Sequence, residues 1–335
     1  MTLDEDIQNV FSAHVAVKTD ELSAEQIKAL HEIDVAYYTA LVERIDTLVL
    51  GSEQASVAYY NLANALIGSG QFAEAIHHYQ KALELQPYTK LYLRRLGDAY
   101  YLCDRFDDAA QTYSSVVNFF HDYGADLLNK LHDALDSLGH FDDSSAWSRE
   151  TTLSCSDNAF SALQNGYASN EKNPEFCTLF AFALTLKGEY TEALRNLNHA
   201  IDLNPELPSA YAHRSDLNRI FAGQKPRILI GQEPIRNSLT LRHQRFIENV
   251  FIPSALQDIA KVFELVEAKG DKATERDYKA VVRAAYNKGI LDKLIEPLYD
   301  QRARQAVLQH PLVQQGIQAG KLTENYVLKD FKAPI

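Results

Sequence analysis

The sequence predicts an all-α fold: a solenoid of antiparallel helix pairs followed by a smaller helical domain. Three observations point there. A set of large and small apolar residues recurs with a period of 34 along the first two thirds of the chain. Within each set the steps are helical, three or four residues at a time. Only 14 of the 335 residues are glycine, well under the usual level of about 7%, which disfavours a glycine-rich α/β nucleotide-binding domain.

In chain order, Leu3–Val17 has the pattern of a short helix. Ser23 then reads as a helix cap, with Gln26 at the capping-box position. Ile27, Leu30, Ile33, Tyr37, Leu41, Ile45 and Leu48 keep helical spacing to about Leu50, and Gly51 ends the run. Residues 1–50 are expected to be N-terminal capping helices that cover the apolar edge of the first repeat. The solenoid is expected over 51–223. Its first copy, 56–89, places Tyr59, Leu62, Ala63 and Leu66 on one helix and Ala75, Tyr79 and Ala82 on the next, closed by Pro87. The small Ala63 and Ala75 let two helices approach closely, and the large residues fill the space around that contact. The second copy, 90–123, carries Leu93, Leu96, Gly97, Tyr100, Ala109, Tyr113 and Val116, with His121 in the proline slot. A degenerate copy, 125–158, keeps Leu128, Leu131, His132 and Leu135 but has Ser144 and Ser148 where alanine and an aromatic belong. A clear copy returns at 174–207 with Cys177, Phe180, Ala181, Leu184, Tyr190, Ala193, Leu197, Ala200 and Pro205. The aromatics Phe141 and Tyr190 are 49 residues apart, 15 more than the period. Residues 159–173 therefore read as an insertion, an extra helical segment and a loop. A partial copy, 208–223, supplies one more first helix with no partner before Lys225-Pro226.

Residues 224–335 read as a helical C-terminal domain. Lys225–Gly231 is a short apolar stretch, a strand or an extended linker. Helices are expected at Asn237–Val250, Pro253–Lys269, Lys272–Asn287, Ile290–Leu308 and Pro311–Ala319, with Pro253 in a first turn and Gly270 and Gly289 as stops. Asn325–Ile335 is a terminal arm or packed end.

The repeat pattern resembles the tetratricopeptide repeat (TPR) over roughly half the chain. The resemblance implies a right-handed superhelix whose concave face is lined by the first helix of each pair. It further implies that this groove takes an extended peptide or a partner's helix. The positions implied to face the groove are Tyr60, Asn61 and Asn64, then Arg94, Arg95 and Asp98, then Asn129, Lys130 and Asp133. Asparagine amides can both donate to and accept from a peptide backbone, and arginine can hold a carboxylate through two parallel bonds. Asn64 matches the groove asparagine of TPR proteins that clamp a C-terminal carboxylate. Arg95 stands where that clamp has another asparagine, and Asp126 where it has a lysine, so chaperone-tail binding is not implied. Two readings of the charges stay open: a groove with a cationic centre, or a surface where Arg94, Arg95 and Lys130 pair with Asp98 and Asp133.

Charge is uneven. Residues 1–170 carry 10 Lys+Arg and 25 Asp+Glu, whereas 221–335 carry 18 and 13. So acidic a body argues against general nucleic-acid binding. No apolar run reaches the length of a membrane span, and the acidic start lacks the basic opening of a secretion signal. Cys103, Cys155 and Cys177 have no metal-like spacing and suit a reducing cytoplasm. Walker, dinucleotide and zinc-helix motifs are missing. The adjacent His77-His78 point to different helix sides, His199 and His213 lack a ligand partner at metal spacing, and Arg242–Arg245 reads as an exposed face. No cofactor, metal or catalytic residue is assigned. The expected function is a non-enzymatic, cytoplasmic scaffold or adaptor that binds a protein or peptide partner. Its C-terminal domain is available for self-association. The alternative is a substrate-recruiting TPR module joined to a C-terminal, transferase-like catalytic domain.

Overall fold

The computed structural model describes residues 23–44, 51–139, 146–221, 250–291 and 306–329. The expectations for Leu3–Val17, Ile45, Leu48, Phe141, Ser144, Lys225–Gly231 and Arg242–Arg245 lie outside these residues. So do most of Asn237–Val250 and of Ile290–Leu308, and the end of the chain. Among the described residues every regular element is helical. The chain divides into two compact units, Met1–Arg105 and Phe106–Ile335. The division falls between the two helices of the second repeat.

The first unit contains α1 (Ala24–Glu43), α2 (Ser52–Gly68), α3 (Phe72–Leu85) and α4 (Lys90–Leu102). The capping box that opens α1 is complete. Ser23 Oγ accepts from the Gln26 amide at 3.3 Å, and Gln26 Oε1 accepts from the Ser23 amide at 2.8 Å. This helix packs on α2 and so covers the outer side of the first repeat. It ends at Glu43, short of the expected Leu50, with Arg44 at its C-cap. The repeat residues form the core: Ala63, Ala75 and Ala82 are wholly buried, and Leu62, Leu66 and Tyr79 nearly so.

The second unit contains α5 (Phe106–Phe120), α6 (Ala125–Gly139), α7 (Ala146–Asn170), α8 (Pro174–Lys187), α9 (Tyr190–Leu203), α10 (Pro208–Phe221), α11 (Ile252–Lys269), α12 (Glu275–Leu291), α13 (Pro311–Gln318) and α14 (Glu324–Lys329). The expected insertion at 159–173 is not a separate helical segment, and its loop is the short turn at 171–173. It lengthens α7, which runs unbroken for 25 residues. Ala146–Asn170 contains no proline, and its one glycine, Gly166, is buried against Tyr123, so nothing in the run stops a helix. The next helix is clearly bounded. Asn173 Oδ1 accepts from the Phe176 amide, Pro174 occupies the first turn, and Gly188 (φ 81°) closes it.

The first helix at 208–221, which has no partner nearby in sequence, finds one in α11. Phe221 stacks on Phe251 at 5.2 Å between ring centres, and Arg214 and Asn218 both reach Asp258. Numbers rise along α10 as they fall along α11, so the two helices are antiparallel. Asp258 is buried, and Arg214 grips it with two bonds of 2.7 and 3.0 Å. Residues from α10 to α14 share one core that includes Tyr211, Ile259, Val262, Tyr278, Val281, Val313 and Val327. Helix α10 thus packs both with the repeats before it and with the helices after it. No helix of the described residues is long and apolar enough to cross a membrane.

Candidate functional site

The nine expected groove residues fall in both units: six on α2 and α4 of the first, three on α6 of the second. In the first unit the residues from α2 and α4 meet over an aromatic floor. Tyr60 stacks on Tyr92 at 4.7 Å between ring centres and leans on Tyr79 at 5.9 Å. The Tyr79 hydroxyl donates to Asn64 Oδ1 at 2.7 Å. Burial pushes the Tyr79 hydroxyl's pKa well up, so it stays a neutral donor. Asn61 lies beside the Tyr38 hydroxyl of the capping helix. Arg95 bonds Tyr60 and pairs with Asp98 at 3.6 Å, and about half of its side chain is exposed. Asn64 and Tyr60 are half-buried. The face therefore offers asparagine amides, a tyrosine ring and an accessible guanidinium within two adjacent first helices. Such a set can bond an extended backbone and hold a carboxylate.

In the second unit the three residues on α6 meet the chain's own helix α12. Asn129 accepts from Arg276, and Asp133 accepts from Lys279 Nζ at 2.8 Å. One turn further, Asp136 accepts from Arg283. The residues on α6 are spaced four and three apart, and those on α12 three and four, so each set lies on one helix face. Lys130 points elsewhere and pairs with Asp126 at 3.7 Å. Helix α12 continues onto the other first helices. Arg283 lies over the Phe182 ring of α8 and also bonds Asp216 of α10. Arg219 of α10, only 1% exposed, donates to Asn287 Oδ1 at 2.9 Å and Asp216 Oδ1 at 3.2 Å. Asn287 completes the network by donating to Ser215 Oγ at 2.8 Å.

Beside this network two buried imidazoles meet, with His132 Nε2 and His213 Nε2 2.8 Å apart. One of the two must donate and the other accept. Burial holds both below the ordinary histidine range, His132 at about 4, so the pair is neutral at pH 7. Nearby Arg276 adds to the depression, while Asp133, 3.9 Å from His132 Nδ1, opposes it at His132.

Sequence reasoning did not single out Arg276, Lys279, Arg283, Asp136, Asp216 or Arg219. A signal was present in the basic residues at three- and four-residue steps along 276–283. His213 lies against His132, and His199 Nε2 bonds the Glu171 carbonyl at 2.8 Å. Cys177 is buried, its thiol donates to the Glu171 carbonyl, and burial raises its pKa to about 11. Such a thiol is unreactive. Among the described residues no cluster of His, Cys, Asp and Glu could hold a metal.

Residues 56–88 match the tetratricopeptide repeat family. Solved structures similar to this chain include YrrB, described as a TPR protein with an unusual peptide-binding site. It is 17% identical, with 69% of this chain and 97% of that chain covered and a TM-score of 0.39. Another is TTC0263, a thermophilic TPR protein from Thermus thermophilus, also 17% identical, with 70% and 99% covered and a TM-score of 0.39. A third is MamA from Desulfovibrio magneticus RS-1, 14% identical, with 64% and 96% covered and a TM-score of 0.40. No curated protein matches the chain.

Proposed function

We propose that this tetratricopeptide-repeat protein is a non-enzymatic scaffold whose partner, a peptide or a helix, docks on the first-helix face of the first unit. The repeat makes it a protein-interaction module. The observation that carries the finer reading is the joint presentation of Tyr60, Asn61, Asn64, Arg95 and Asp98 from two adjacent first helices, with Arg95 accessible. Arg94, beside Arg95 on α4, belongs to the same proposed surface.

The second unit supplies a precedent for the chemistry. There Asn129 and Asp133, at corresponding positions on α6, receive a helix through Arg276 and Lys279. A first-helix face of this chain thus takes up a helix by matched polar contacts at three- and four-residue steps. The first unit would do the same with a ligand carrying a carboxylate for Arg95. A buried free thiol at Cys177 suits a reducing, cytoplasmic setting.

The test is capture from native extract followed by mass spectrometry, with the full chain and with Arg94→Glu/Arg95→Glu. The double substitution should abolish capture of the main partner while the circular dichroism spectrum stays helical. An unchanged set of captured proteins would remove this face from consideration.

A further inference from the structure

Among the described residues, the contact between α12 and the first helices contains a cation without an ion pair. Three basic side chains of the network have carboxylates within ion-pair distance: Lys279 has Asp133 and Glu275, Arg283 has Asp136 and Asp216, and Arg219 has Asp216. Among the described residues Arg276 has none. Its bond goes to the neutral amide of Asn129, and its Nε is buried without a partner. Asp133, Glu175 and Asp277 favour its charge from further off, yet burial outweighs them and the guanidinium's pKa is depressed. Arg276 is half-buried, and a guanidinium without an ion-pair partner is costly to the extent that it is desolvated.

Two further buried polar atoms beside it make no hydrogen bond, Ser209 Oγ and His132 Nδ1, the latter 3.9 Å from Asp133 Oδ1. Ser209, His132 and Arg276 all line one small cavity between α6, α10 and α12. If His213 Nε2–H donates to His132 Nε2, His132 carries its proton on Nδ1. The cavity then presents three donors: a guanidinium N–H, a hydroxyl and an imidazole N–H. The carboxylates of Asp133 and Asp136 also line it: Lys279 takes Asp133 Oδ2, Arg283 and Tyr326 take the two oxygens of Asp136, and Asp133 Oδ1 lies 3.9 Å from His132 Nδ1. The space admits little more than one water-sized particle.

We propose that this cavity binds a single halide ion, which balances Arg276 and completes the docking of α12 on α6 and α10. A water molecule fits the volume but leaves the charge uncompensated. The ion is a structural ligand that binds the folded chain alone, so halide stabilises in proportion to the logarithm of its concentration.

The test is thermal unfolding of the full chain in sodium chloride or bromide against sodium gluconate at equal ionic strength. Above saturation, each tenfold rise in halide should raise Tm by roughly 2–4 °C relative to gluconate. Ser209→Val, which removes one donor and fills space, should weaken that dependence at least about tenfold in apparent affinity, and Arg276→Gln should abolish it. Superimposed halide and gluconate curves for the natural chain would overturn the proposal. So would a halide effect that persists unchanged in Ser209→Val, since the ion would then bind elsewhere.

Discussion

Arg283 touches two carboxylates at once, Asp136 from α6 and Asp216 from α10, and only 11% of its side chain is exposed. Replacing it with methionine would leave both carboxylates buried beside an apolar chain of similar length. The cost is set by their desolvation and not by the lost bonds alone. Arg283→Met should therefore lower unfolding free energy by about 3–5 kcal/mol, measured by urea titration. Arg195 provides the contrast. It pairs with Glu192 at 2.6 Å, a shorter contact than most, yet the two side chains are 71% and 51% exposed. Water and salt already solvate both charges, so Arg195→Met should change stability by less than about 0.5 kcal/mol. Distance alone does not rank ion pairs; burial does. Equal losses from the two substitutions would contradict this account.

Helix identity followed from local pattern wherever the pattern was complete. Ala63, Ala75 and Ala82 repeat the small-residue steps of the helix pair, and all three are wholly buried. Helix α7 shows where local pattern fails. Ser144 and Ser148 broke the repeat, and the period suggested a separate segment that the chain does not make, because no proline or exposed glycine interrupts Ala146–Asn170. Its Gly166 instead marks a close approach: a Cβ there would lie 2.2 Å from Tyr123 Cε1. Gly166→Ala should thus cost about 1–3 kcal/mol through displacement of that ring, although alanine favours the isolated helix by about 1 kcal/mol. A gain in Tm would show that Tyr123 moves aside freely. The site was partly legible for the same reason. Tyr60, Asn64 and Arg95 meet within neighbouring helices of one repeat period, so offset arithmetic finds them. Asn129 and Arg276 are 147 residues apart. Each belongs to a readable helix face, but which distant face it meets is decided by packing, and no single sequence carries that pairing.

Across the whole chain two acid-linked effects oppose each other. The formal net charge is −12 and the sequence pI is near 5.4, so lowering the pH relieves self-repulsion. Lowering the pH also loads the unfolded chain with protons that the folded one refuses. Unfolded histidines titrate near 6.5, whereas buried His132 titrates at about 4 and His213 is also depressed. The unfolded state binds more protons between these values, so this contribution to stability falls as pH drops through 6.5 and levels off below about 4. Its size is on the order of 3 kcal/mol for a shift of this extent. Self-repulsion between exposed charges acts through water and is screened over about 8 Å at physiological ionic strength. The local histidine effect should win. Tm at about 0.15 M salt is therefore expected to fall steadily from about pH 7 toward pH 5, with no maximum at the isoelectric point. Substituting His132→Gln/His213→Gln should flatten that slope, because the new amides can share a hydrogen bond without taking up a proton. A Tm maximum near the pI of 5.4, or a slope unaltered by the double substitution, would assign acid sensitivity to the net charge instead.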